Sequence, residues 1–131
     1  MTSVKFRIAL AIMLTTLTLM TAGCGDDKNV TLVKKGTMQM EPNIEIGKAF
    51  DKFFGNPKWK SFKSTDNQQI VEFNGDCTWN DRPAKCKMQF IILNNERFEL
   101  HYVGINGNDM TKLEGSAIMH KALTGRDDWD Y

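Results

Sequence analysis

An α+β fold is what this 131-residue sequence predicts: a three-stranded antiparallel meander with two helices packed on one face. Three observations carry the prediction. Two runs of alternating apolar residues flank a turn at residues 80–83, a third run follows after Asn94-Asn95-Glu96, and two segments carry apolar residues at helical spacing.

The chain opens with Lys5 and Arg7, followed by an uncharged apolar and threonine stretch over residues 8–20, then the small residues Thr21, Ala22 and Gly23. This is the plan of a secretory signal peptide, residues 1–23. Thirteen helical residues reach about 20 Å, short of the ~30 Å of a hydrocarbon core, which argues against a spanning segment. Met20-Thr21-Ala22-Gly23-Cys24 resembles the lipobox of bacterial lipoproteins, with Thr21 where that family favours Leu. The resemblance implies a diacylglyceryl group on the Cys24 thiol, cleavage before it, and an acyl group such as palmitate on the new N-terminus. Two or more acyl chains hold a protein stably on a membrane. Gly25 rather than Asp follows Cys24, which by the same resemblance implies the periplasmic face of the outer membrane. Residues 24–29 are then a lipidated N-terminus and polar tether, residues 30–125 a single domain and residues 126–131 an acidic aromatic tail.

The mature chain has 108 residues and balances fifteen Lys and Arg against sixteen Asp and Glu, a net charge of −1. A near-neutral chain gives no general drive toward nucleic acid. Residues 29–35 are read as an additional edge strand. Ile46, Ala49, Phe50, Phe53 and Phe54 then form a helical stripe that Gly55 caps and Pro57 ends.

In the central hairpin Val71, Phe73, Gly75, Cys77 and Trp79 share one face, as do Ala84, Cys86, Met88, Phe90 and Ile92. Folding about residues 80–83 opposes Cys77 to Cys86, close enough for a disulfide in an oxidising compartment. A zinc site is the rival, but only His101 and His120 remain to complete its ligands. The third strand alternates Phe98, Leu100 and Tyr102 with Glu99 and His101; keeping Phe98 on the face of Ile92 requires an odd loop or a bulge. In the last helix Thr111 and Glu114 have capping-box spacing, Leu113, Ala117, Met119 and Leu123 supply apolar residues, and Gly125 closes it.

Residues 53–63 interleave Phe53, Phe54, Trp59 and Phe62 with Lys58, Lys60 and Lys63. One reading is a partner-binding surface, since Trp is favoured at interface hot spots. The other places the aromatics in the core and the lysines at its solvated rim. Asp81 and Arg82 on the hairpin turn are a second candidate contact. His101 with Glu99 is an incomplete catalytic set, and His120 is no better placed. Asp127, Asp128, Trp129 and Tyr131 could dock a partner, fold back on the body, or simply be mobile. Methionines such as Met38 and Met40 give little support for copper. The sequence contains no phosphate-binding glycine loop, G-x-S-x-G or H-E-x-x-H motif, so neither catalysis nor a cofactor is expected.

Val33-Lys34-Lys35-Gly36-Thr37, Ile46-Gly47-Lys48-Ala49-Phe50-Asp51-Lys52-Phe53-Phe54, Pro57-Lys58-Trp59 and Val71-Glu72-Phe73-Asn74-Gly75 resemble small uncharacterised envelope lipoprotein domains of bacteria. That resemblance implies no activity. A looser similarity, a Gly47-initiated helix ending in Gly55-Asn56-Pro57 before a meander, is to the small accessory lipoproteins of the outer-membrane β-barrel assembly machinery; this chain's helix is shorter and its hairpin cysteines are additional. The expected function is therefore a lipid-anchored, non-catalytic protein-binding or assembly accessory. The alternative is a periplasmic inhibitor or immunity protein against a hydrolase or toxin.

Overall fold

The computed structural model describes residues 27–125; Cys24, the signal segment and residues 126–131 lie outside the described residues. The chain forms α1 (Lys28–Lys35), α2 (Ile46–Phe53), β1 (Gly55–Lys63), β2 (Gln69–Trp79), β3 (Arg82–Asn94), β4 (Arg97–Ile105), β5 (Asn108–Asp109) and α3 (Lys112–Thr124). The strands make one antiparallel sheet in the order β1-β2-β3-β4-β5. The α+β class and the central meander agree with expectation; the sheet has five strands rather than three, and the described residues form three helices rather than two.

Residues 29–35 are a helix, not an edge strand. Val30 and Val33 are three residues apart and both buried, while the Asp27 carboxylate accepts a hydrogen bond from the Val30 amide at 2.9 Å. That N-cap, with Lys34 and Lys35 in the last turn, favours the helix over an extended chain. Asp27 therefore belongs to the folded body rather than to a tether. The extra edge strand lies elsewhere: Phe54 is already extended after α2, and Gly55, expected as a helix cap, begins β1.

The hairpin register also differs from the expected one. Asn80 and Asp81, with φ of 50° and 62°, make a two-residue turn. Trp79 pairs with Arg82, Cys77 with Ala84 and Gly75 with Cys86, a two-residue shift that keeps every side chain on its expected face. Between β3 and β4, Ile92 does oppose Phe98, through a two-residue loop and an irregularity at Leu93. A second bulge leaves His101 unpaired between the Gln89–Tyr102 and Phe90–Leu100 pairs. One extra residue reverses the alternation, so Val103 and Ile105 join the inner face and Tyr102, expected there, turns to the outer one.

All three helices contribute to one core with the inner face of the sheet. Phe50 sits at its centre, with ring centroids 4.7 Å from Phe73, 5.1 Å from Phe54 and 5.7 Å from Trp59. Burying side chains of this size contributes roughly 1.5–3 kcal/mol each. The expected capping box is present: the Glu114 amide donates to the Thr111 hydroxyl at 3.1 Å and the Thr111 amide to Glu114 Oε1 at 3.0 Å. Gly125 takes the left-handed C-cap conformation, φ 69°. The buried stripe of α3 is Gly115, Met119, Ala122 and Leu123, while Leu113, expected in the core, is 76% exposed.

Candidate binding surface

Alternation along β1 separates the aromatic and basic residues of the 53–63 stretch. Trp59 faces inward, stacked at 21° on Phe50 and 4.9 Å from Phe73, and its buried indole N–H has no hydrogen-bond partner among the described residues. Ser61 and Lys63 share its parity, while Lys58, Lys60 and Phe62 belong to the opposite, outer face. Trp59 is thus a core residue at the sheet edge, and only part of the expected cluster forms one surface.

The pairings β1–β2–β3–β4 set the outer face in rows. The first runs Phe62, Ile70, Ile91, Glu99; the next Lys60, Glu72, Gln89, Tyr102; the next Lys58, Asn74, Lys87, Gly104; and Asp76 stands beside Lys85 beyond them. Ile70 and Ile91 are buried yet lie outside the helix-covered core, so the first row is a small apolar strip of its own.

Glu72 organises the polar rows. It is 4% exposed, the only charged residue among the buried ones described. Its Oε1 accepts from Gln89 Nε2 at 2.9 Å and lies 3.8 Å from Lys87 Nζ; its Oε2 lies 3.2 Å from Lys60 Nζ and accepts from Asn74 Nδ2 at 3.1 Å. Burial pushes this carboxyl upward, but the hydrogen bonds from Gln89, Lys60 and Asn74, with the charge of Lys87, outweigh it and hold the group below its ordinary range. Both oxygens are engaged, so Glu72 works as a fixed anion that orders two lysines. Beyond the Asn74 row, Asp76 accepts from Lys85 and, at 2.8 Å, from Asn56 Nδ2, which holds its carboxyl low as well. At the far edge the Tyr102 ring lies across Gly104, and its hydroxyl donates to Asp109, which raises the phenol.

The hairpin turn carries the other expected contacts. Asp81 and Arg82 are exposed, Asp81 in the turn and Arg82 at the start of β3. Pairing with β1 ends at Asp76, and pairing with β4 ends at Cys86, so the tip beyond them is a two-stranded ribbon. Cys77 and Cys86 are on one face, offset by two positions, and both thiols are free. Cys77 borders a cleft of about 360 Å³ lined also by Phe53, Gly55, Asp76, Thr78 and Lys121. Burial pushes the Cys86 thiol up to about 12, and it raises Cys77 too, with Asp76 adding and Lys121 opposing.

His101 is exposed at its bulge, and His120 Nε2 lies 3.2 Å from Glu41 Oε1, joining α3 to the loop before α2. No group of three metal-binding side chains occurs among the described residues, and no helix among them is long and apolar enough to cross a membrane. Sequence reasoning missed Glu72, Asn74 and Gln89. Their alternation with buried residues marked them as outward, but two of the array's lysines, Lys58 and Lys60, come from β1, whose strand character the sequence hides, while Lys87 comes from β3. No protein-family model, curated protein or solved structure matches the chain.

Proposed function

We propose that this protein is an exported envelope accessory, anchored through lipid on Cys24, that binds a protein partner without catalysing a reaction. The supporting observation is the asymmetry of the sheet. Helices bury one face, and the other displays the Lys58–Asn74–Lys87 row, in which Glu72 holds Asn74 and Lys87, and beyond it the Asp76–Lys85 pair. Lys85 and Lys87 side chains are 78% and 47% exposed, available to an acidic or mixed-charge partner surface. The lipobox resemblance supports the anchor, and Gly25 directly after Cys24 supports the periplasmic face of the outer membrane. The test is crosslinking co-purification from envelope membranes with the full chain. A stoichiometric assembly partner that is lost with Lys58→Glu and Lys87→Glu, in a protein that still folds, is the expected result; retention of the same partner by both variants would overturn this choice of surface.

The projecting tip favours a second reading, an inhibitor or immunity protein that inserts residues 80–82 into an active site. That reading requires inhibition of a periplasmic hydrolase near one-to-one stoichiometry, with loss of potency in Asp81→Ala or Arg82→Ala.

A further inference from the structure

The Asp27 carboxylate accepts a hydrogen bond from the Ser61 hydroxyl, fixing the first described residue beside β1. Ser61 lies between Lys60 and Phe62 in that strand. Cys24 precedes Asp27 by three residues, and three residues of fully extended chain span at most about 10 Å. If Cys24 carries the lipid, as proposed above, the bilayer surface must therefore come within about that distance of Asp27.

We infer that this end of the molecule, formed by Lys28, Lys60, Phe62 and Lys63, rests on the anionic headgroups of the membrane that holds the lipid anchor. Lys28 and Lys63 are exposed, and the Lys60 side chain is 64% exposed despite its contact with Glu72. Carboxylates stand at this end too, Asp27 held by the Val30 amide and Ser61, Asp66 by Ser64, and Glu72 against Lys60, and they keep their charges, so the contact rests on the individual lysines and Phe62 rather than on a net positive end. Phe62 is 37% exposed at the end of the Phe62–Ile70–Ile91 strip, with Lys60 Nζ 5.7 Å from its ring centroid. An aromatic ring flanked by cations suits the headgroup layer, where apolar surface and anionic phosphate lie together. The attraction between lysines and headgroups fades over a Debye length of about 10 Å, comparable to the reach of the tether.

The contact also orients the body. Ser61 pairs with Val71, and β2 runs from there to Trp79, eight residues or about 26 Å along the sheet. The Asn80–Asp81 tip and the Asp76–Lys85 pair therefore lie toward the end remote from the bilayer, where a partner can reach them.

The test is lysine footprinting of the full chain, matured in an envelope and purified in nonionic detergent, with acylation of Cys24 read by mass. The protein is reconstituted into phosphatidylcholine vesicles with or without phosphatidylglycerol and treated with a membrane-impermeant amine acylating reagent. On the anionic vesicles, labelling of Lys28, Lys60 and Lys63 falls by roughly threefold or more relative to Lys85 and Lys87. The combined variant Lys28→Ser, Phe62→Ser, Lys63→Ser stays on the vesicles through its lipid and loses the protection at Lys60. Equal labelling of all these lysines in an acylated, vesicle-bound protein overturns the inference and leaves the anchor standing. Protection of Lys85 and Lys87 instead overturns it in favour of the opposite end. An unmodified Cys24 overturns the anchor reading, and the inference with it.

Discussion

Gln89 on β3 donates to Glu72 on β2 at 2.9 Å across the open face of the sheet, tying a buried carboxylate to the strand that also carries Lys87. Because the folded state holds this carboxyl below its unfolded value, its stabilisation is fully present above the unfolded pKa. It is lost as the pH falls through the folded pKa. Wild-type protein should therefore lose stability more steeply than Glu72→Gln as the pH is lowered from about 5. At neutral pH, Glu72→Ala should destabilise by about 1–3 kcal/mol, since it removes hydrogen bonds to a charged group and leaves the partly buried Asn74 and Gln89 amides without that acceptor. Urea unfolding of the three proteins across pH checks both; parallel pH profiles for wild type and Glu72→Gln would refute the assigned role.

Gly75 is a second sensitive point. Gly75 lies inside β2, as the alternation of Val71, Phe73 and Gly75 predicts, and opposite Cys86. A Cβ there would stand 2.7 Å from Phe73 Cζ and 2.8 Å from Phe54 Cβ, inside the aromatic core. Gly75→Ala should cost about 1–3 kcal/mol through overpacking. The same substitution at Gly125, which has open space but a left-handed φ of 69°, should cost about 1–2 kcal/mol through backbone strain alone. Denaturation combined with the near-ultraviolet signal separates the two effects, because only Gly75→Ala should disturb aromatic packing.

These cases show what the sequence could and could not convey. Period-two alternation put the hairpin side chains on the correct faces, and the Thr111–Glu114 and Gly125 signals placed α3. The alternation Lys58-Trp59-Lys60-Ser61-Phe62-Lys63 is equally regular and allows aromatics in the core with lysines at the rim, yet the helix-ending signals Gly55 and Pro57 hide that the segment is a strand. Once β1 is a strand, the same residues divide between core and exterior. The His101 bulge left no comparable mark, because alternation of Phe98, Leu100 and Tyr102 looks uninterrupted; only the pairing with β3 reveals the reversal. The first helix was obscured by its length, eight residues with two buried valines, too short for a clear helical period.

The turn supplies a third prediction. Pro83 drew the expected loop out to four residues, since proline favours turns, but it pairs with Thr78 near the start of β3, beyond the reach of β4, where proline is tolerated. The turn itself is Asn80–Asp81, both at positive φ. Glycine adopts that conformation without a Cβ penalty, so Asp81→Gly should raise stability by up to about 1 kcal/mol. A shift of the urea midpoint upward with an unchanged slope is the expected result. Destabilisation would mean that the Asp81 side chain makes a contact the register does not reveal.

The cysteines give the last prediction. Their offset makes them diagonal neighbours, for which Cα separations of about 7–8 Å are usual, whereas a disulfide spans about 4.4–6.8 Å. Forming a Cys77–Cys86 disulfide therefore has to draw the ribbon tip together. Closing so short a loop would contribute about 2–3 kcal/mol through chain entropy, and distortion of the hairpin should leave a smaller net gain. We expect the oxidised protein to unfold at higher urea than the reduced one, by less than that full value, with the difference abolished in Cys77→Ser. In the reduced protein the Cys86 thiol, pushed up to about 12, should alkylate at least a hundredfold more slowly than an unfolded thiol at about pH 8, because the thiolate is the reactive form. Rapid alkylation of Cys86 under native conditions would show that the sheet opens readily there, and that this thiol is not sealed beneath the helices.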